Sequence, residues 1–148
     1  MTRLVRQRTP HQCMIACIVM ATHKPYRQVL TVGIETGGYV EGRGCLSEQK
    51  ILTALGLRFE FERGRPSFSS DYICLRRSYH LSADAFRDQA WGRRAIFTVP
   101  SLNNPGGHHA VYWDGQKLLD PNSSDRKRYA DWSELQPSEL VLFREFSL

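Results

Sequence analysis

The chain has 148 residues, of which 41% are hydrophobic and 24% are charged, and its net charge is +5 with a pI near 9.2. This length suffices for one domain with its own hydrophobic core, and the balance of residues excludes a disordered or fibrous chain. No apolar stretch approaches the ~20 residues of a membrane span. We therefore expect a single domain over residues 1–148 that does not enter a membrane.

The cysteine pattern favours a cytoplasmic protein with free thiols. The four cysteines form no C-x-x-C pair, and the apolar run after the basic N-terminus lacks the A-x-A-like site of a secretion signal. Cys17, Cys45 and Cys74 are predicted to be buried as small hydrophobic side chains. Cys13 and Cys17 have no second ligand pair at a zinc-binding spacing, so no metal or organic cofactor is expected.

The first half of the chain predicts three helices. Thr9 to Gln12 reads as a capping box with proline at the first helical position, and it precedes an apolar, central helix over Cys13–Met20. A second helix is predicted over residues 26–35. The glycine-rich segment 37–44 is interpreted as a connection without the pattern of a phosphate loop. Ser47 then opens a third helix that stops at Gly56.

The second half is dominated by strand patterns. "LRFEFE" and "DYICLRR" are predicted strands, and "SADAFRDQAW" is a predicted helix with Ser82 as its cap. Four further strand-like runs follow, "RAIFTVPS", "HHAVYW", "QKLLDP" and "ELVLFREF". Helices first and strands later indicate an α+β fold, with N-terminal helices packed on a C-terminal antiparallel sheet.

A predicted hairpin selects one of two adjacent histidines. Asp114-Gly115 between alternating residues is a strong signal for a two-residue turn. In that register His109 lies directly opposite Asp120, whereas His108 faces a proline. A carboxylate beside an imidazole fixes its tautomer and stabilises its protonated form, which gives an oriented base. The alternative is an ordinary cross-strand pair on a surface sheet.

Cys13 is the predicted nucleophile. It lies in the first turn of a helix, where the dipole and the free amides favour a thiolate. Cys45 after the glycine-rich segment is the competing thiol, and the serines lack a G-x-S-x-G elbow. Gln7, six residues before Cys13, is the predicted donor for a developing oxyanion. Gln12 is the competing amide, and the capping box is its expected role.

These segments together resemble a known family. "QRTPHQCMIACIVM", "RGCLSEQKILTALGLRFEF" and "HHAVYWDGQKLLDP" resemble, in order and spacing, the three elements of the C39-like peptidases, which have the papain-like cysteine peptidase fold. The resemblance covers most of residues 1–125. It implies Gln7 as oxyanion donor, Cys13 as nucleophile, His109 as base and Asp120 as the acid that orients it. The family has an acidic residue and a glycine where this chain has Gln12 and Met14.

The resulting hypothesis is a cysteine peptidase that cleaves a peptide or isopeptide bond through a thioester. A glutamine deamidase or a transglutaminase-like acyltransferase would use the same site. A third hypothesis, raised by Met14, is a binding module that has lost turnover. The basic charge favours a protein or peptide partner with an acidic surface, and nucleic acid is disfavoured because no recognition motif accompanies the arginine pairs.

Overall fold

A computed structural model describes residues 3–61, 72–77, 88 and 90–143. Three helices lie in the first half of the chain: α1 over Cys13–Thr22, α2 over Tyr26–Thr36 and α3 over Glu48–Ala54. All three predicted helices are therefore present. The ends of α1 and α2 are closed by residues in the left-handed conformation, His23 and Gly37.

The start of α1 differs from the prediction. The helix begins at Cys13 and its N-cap residue is Gln12, which makes no side-chain cap hydrogen bond, so the predicted capping box is wrong. The physical reason is a partner distant in sequence: Gln12 Oε1 accepts a 2.7 Å hydrogen bond from the Tyr26 hydroxyl. Gln12 N donates to Thr9 O at 3.2 Å, so residues 9–12 form a turn in front of the helix. Ser47, in contrast, caps α3 as predicted, since its Oγ accepts from Lys50 N.

The glycine-rich segment contains a small hairpin that the sequence did not predict. Strand β1 covers Tyr39–Val40 and pairs in antiparallel fashion with β2 over Gly44–Cys45. The backbone of Gly38 supports this hairpin, because its carbonyl accepts from the amides of Leu46 and Ser47. The hairpin places Gly44 against His11, with an ideal Cβ at Gly44 only 3.4 Å from His11 O.

A six-stranded sheet forms the rest of the described fold. Its strands are β3 (Arg58–Phe61), β4 (Tyr72–Arg77), β5 (Ala95–Pro100), β6 (His108–Trp113), β7 (Leu118–Leu119) and β8 (Glu139–Phe143). The spatial order is β3-β4-β8-β5-β6-β7. The α+β class is confirmed. The antiparallel sheet is confirmed for β4 to β8, whereas β3 pairs with β4 in parallel, which corrects the expectation of a wholly antiparallel sheet.

Alternate residues of the sheet contribute to two cores. Ile96 and Tyr112 pack with the buried side of α1, while Phe97 and Val111 pack with Tyr129 on the other face. This alternation follows from the two-residue period of a strand. The central strands are therefore covered on both faces, and α1 is buried nearly all round, as its apolar composition predicted.

The predicted helix over residues 82–91 falls mostly outside the described residues, with Asp88 and Ala90 helical. The side chain of Cys74 on β4 also lies outside them. Across the described parts of the chain, no helix combines the length and the apolar character needed to cross a membrane.

Candidate active site

The β6–β7 hairpin brings His109 and Asp120 together, although its register is not the predicted one. The strands pair Tyr112 with Leu119 and Trp113 with Leu118, so four residues, 114–117, connect them. Asp114 causes the longer turn, because its Oδ1 accepts from the amides of residues 116 and 117. The predicted pairing is thus wrong by two residues. A shift of two keeps every side chain on its face, so His109 meets Asp120 on the diagonal instead of directly opposite.

The resulting contact is a short, buried ion pair. His109 Nε2 lies 2.7 Å from Asp120 Oδ1, and the two side chains are 6% and 2% exposed. His108 is exposed and pairs with Pro100 on β5. Of the two adjacent histidines, the hairpin therefore gives the carboxylate partner to His109.

Asp120 is held in place by the backbone that follows it. Its Oδ1 also accepts from Asn122 N at 2.9 Å, and its Oδ2 accepts from Tyr129 N at 2.7 Å. The Tyr129 hydroxyl donates to Pro100 O at 2.5 Å, which ties this loop to the strand next to His109. The carboxylate is therefore held by three hydrogen-bonding partners, His109 and two backbone amides. Asn122 and Tyr129 are supporting residues that the sequence analysis missed, because only the folded loop brings their amides to Asp120.

Cys13 is the second partner of His109. It occupies the first position of α1, is half-buried and has a free thiol. Burial alone would lower the pKa of His109, but hydrogen bonds with Asp120 and Cys13 and the negative charges of both raise this pKa to about 9. Because Asp120 binds Nε2, Nδ1 is the ring nitrogen that remains for the sulfur. The structure thus groups the thiol of Cys13 and the carboxylate of Asp120 around one imidazole.

Gln7 lies on the extended segment before α1, and its backbone contacts the loop that follows Asp120. Its backbone amide donates to Pro121 O at 2.9 Å, which fixes it beside the residue that follows Asp120. Its side-chain Nε2 donates to Thr9 O at 3.0 Å, and its Oε1 is buried without a hydrogen-bond partner in the structure. The amide is therefore held in the turn that leads to Cys13, with one buried polar atom unsatisfied.

Gln12 has a structural role in the same turn. It is 3% exposed, and its link to Tyr26 anchors the N-terminus of α1 to α2. The Tyr26 hydroxyl also accepts from Arg8 N at 3.1 Å, and the Arg8 guanidinium lies 4.2 Å above the Tyr26 ring. Tyr26 therefore fixes the segment between Gln7 and Cys13 from one side.

The other described cysteines differ from Cys13. Cys17 is fully buried, and its burial raises the pKa of its thiol well above the usual range, with smaller contributions from Cys13 and Asp120. Cys45 is half-buried, and desolvation followed by the charge of Glu48 raises its pKa. The prediction of a buried side chain is confirmed for Cys17, whereas Cys45 is only half-buried. The raised pKa values mean that both thiols hold their protons to a higher pH than an ordinary cysteine does.

Two further observations bear on the chemistry of the site. Met14, the residue that follows Cys13, is 7% exposed and packs in the core with the buried side of α1. Among the residues that the structure describes, no three or more His, Cys, Asp or Glu side chains are grouped as a metal site would need.

Comparisons with protein-family models, with curated proteins and with solved structures found no match for this chain.

Proposed function

We propose that this protein is a cysteine peptidase of the papain-like type, related to the C39-like peptidases, with Cys13, His109 and Asp120 as its catalytic triad. The observation that carries the proposal is the buried 2.7 Å contact between Asp120 Oδ1 and His109 Nε2, with Cys13 close enough to the same imidazole to contribute to its raised pKa. A histidine–aspartate pair that only stabilised the fold would not require a thiol at a helix N-terminus beside it, whereas a catalytic triad does.

His109 takes the proton of Cys13, or the two rest as an ion pair, and Asp120 stabilises the imidazolium. The thiolate attacks the carbonyl carbon of a peptide or isopeptide bond and forms a tetrahedral intermediate. His109 then gives its proton to the leaving nitrogen, the C–N bond breaks, and a thioester forms on Cys13. Water, deprotonated by His109, attacks the thioester and releases the acid together with the free thiol.

The negative charge of the intermediate needs donors that are in place beforehand. The backbone amide of Cys13 is free for this purpose, because the first amides of a helix have no partner within it. Gln7 supplies the second donor in this proposal, after its side chain exchanges the bond to Thr9 O for the oxyanion. The buried, unpaired Oε1 of Gln7 favours such a rearrangement, since the present position of the amide leaves one polar atom unsatisfied.

Analysis of the reaction products distinguishes the proposed peptidase activity from deamidation and from transglutamination. A peptide library derived from cell protein would be incubated with the wild type and with Cys13→Ala, and new species would be identified by mass spectrometry. We expect new chain ends that require Cys13. A one-dalton gain at glutamine would indicate a deamidase, and a cross-link would indicate a transglutaminase. Identical spectra from the two proteins would contradict the proposed activity.

A further inference from the structure

An open groove follows the edge strand β7, on the outer side of the hairpin that carries Asp120. At one end a cavity of about 380 Å³ is lined by Trp91, Trp113 and Leu118, together with the charged residues Lys117 and Asp131. Trp91 is 54% exposed, an unusual state for so large an apolar side chain, and its ring centroid lies 5.9 Å from that of Trp113. This end of the groove offers an aromatic surface supported from behind by a buried ring.

The other end of the groove combines apolar and cationic side chains. A cavity of about 460 Å³ is lined by Leu4, Leu119, Arg126 and Arg128, among others. Both arginines are exposed. The guanidinium groups and the leucine side chains of this cavity suit a ligand that is anionic on one side and apolar on the other.

The two cavities adjoin at Leu118 and Ala130, which line both of them, and together they make up the groove. The groove also passes Asp120, whose side chain is 2% exposed and already accepts three hydrogen bonds. Its Oδ1 is bonded to His109 inside the molecule, and the side chains that give the groove a positive field are those of Arg126 and Arg128.

Further cations reinforce that field from two directions. Arg3 and Arg6 lie on the extended N-terminal segment beside Leu4, and Arg6 Nη1 donates to Asn122 O at 2.5 Å. Lys127 follows on the loop between the two arginines that line the cavity. Arg126 and Arg128 line the groove and Lys127 adjoins them in sequence, while Asp125, which accepts a hydrogen bond from Ser123, is an exposed carboxylate on the same loop. The field attracts acidic segments and orients them before contact.

We propose that this groove binds an acidic, extended segment of the protein substrate, with carboxylates on Arg126 and Arg128 and an apolar or aromatic residue on Trp91. The inference rests on the proposed peptidase function, since it takes the ligand to be part of the chain that Cys13 cleaves. The leucines that line the groove and the exposed Trp91 favour a peptide over nucleic acid. The sugars and phosphates of a nucleic acid would leave this apolar surface in contact with water. Binding energy gained here holds the scissile bond near the site.

The test uses the full chain carrying Cys13→Ala, so that binding is measured without cleavage. The probe is a fluorescent peptide of alternating Glu and Leu with one Phe, followed by fluorescence anisotropy at two salt concentrations. We expect the double variant Arg126→Glu, Arg128→Glu to weaken binding by about tenfold or more. Trp91→Ala should weaken it as well. Arg27→Glu, which changes an exposed arginine on α2, is the matched control and should leave the affinity unchanged.

Three results would overturn the inference. The first is an affinity that the charge reversal leaves unchanged, or one that a Lys–Leu peptide of equal length matches. The second is displacement of the peptide by single-stranded DNA that binds more tightly to the same arginines. The third is peptide binding by Cys13→Ala without any Cys13-dependent product from the wild type, which removes the substrate role of the groove. Cleavage by the wild type with no effect of the charge reversal would instead leave the peptidase proposal intact and contradict the groove alone.

Discussion

His109 and Asp120 are bonded across the β6–β7 hairpin without being paired in its ladder. The ladder ends at Tyr112 opposite Leu119, and Asp120 lies on the diagonal from His109, at 2.7 Å between Oδ1 and Nε2. Asp120 is therefore positioned by the loop that follows it as much as by the hairpin. The bonds to the amides of Asn122 and Tyr129 hold the carboxylate in the position where it contacts the imidazole.

The first prediction concerns Asp120→Ala. This change leaves two buried amides and the His109 ring without an acceptor, so we expect a loss of about 3 kcal/mol in the free energy of unfolding. Urea denaturation at neutral pH measures it. Asp125→Ala, which changes an exposed carboxylate on the same loop, is the control and should have no measurable effect. Equal stabilities of Asp120→Ala and wild type would show that the loop does not depend on this carboxylate.

The second prediction follows from the pKa of His109, which folding raises from 6.5 to about 9. A raised pKa means that the folded state binds the proton more tightly. The stabilisation is therefore fully present below pH 6.5 and is lost as the pH rises through about 9. It amounts to about 3 kcal/mol by linkage. The difference in unfolding free energy between wild type and His109→Gln should shrink between about pH 6 and about pH 9.5. A constant difference would contradict a charged His109.

The third prediction separates the two glutamines near Cys13. Gln7→Ala should lower kcat by about a hundredfold or more, as expected for an oxyanion donor, with little change in stability. Gln12→Ala should instead lower the free energy of unfolding by about 1–3 kcal/mol, because the buried Tyr26 hydroxyl loses its acceptor. Paired turnover and denaturation measurements on both variants check this. The reverse assignment of effects would mean that the amide at position 12 serves the reaction.

The fourth prediction tests the hairpin that the sequence did not reveal. A Cβ at Gly38 would lie 2.6 Å from Ile51 Cγ1 and 2.7 Å from Ser47 O. Gly38→Ala should therefore cost about 1–3 kcal/mol of stability by overpacking. Gly42→Ala, in open space but at a φ of +80°, should cost only about 1 kcal/mol from backbone strain. Thermal denaturation of both variants compares them, and equal losses would show that space around Gly38 is not limiting.

Local patterns sufficed to predict the helices and most of the strands. Helix α3 follows from Ser47 and its amphipathic run, and β6 coincides with the predicted "HHAVYW". Features that depend on residues distant in the sequence were not predicted. The capping box at Thr9 was displaced by the bond between Gln12 and Tyr26, and the parallel pairing of β3 with β4 has no local signal.

The contact between His109 and Asp120 could be predicted even though the predicted length of the turn was wrong. The turn at Asp114 is two residues longer than the sequence pattern indicates, yet an even shift keeps His109 and Asp120 on one face. A shift of one residue would have separated them. The amides of Asn122 and Tyr129 could not be predicted, because backbone donors carry no sequence signature.

The central claim is that Cys13 and His109 act as one chemical unit, and alkylation of the thiols tests it most directly. Wild type and His109→Ala would be treated with a small alkylating agent across a range of pH, with the labelled cysteines assigned by mass spectrometry. The account predicts fast labelling of Cys13 at about pH 6, where free thiols react slowly, and loss of this reactivity in His109→Ala. Slow labelling of Cys13 in both proteins, with Cys45 modified first, would contradict it.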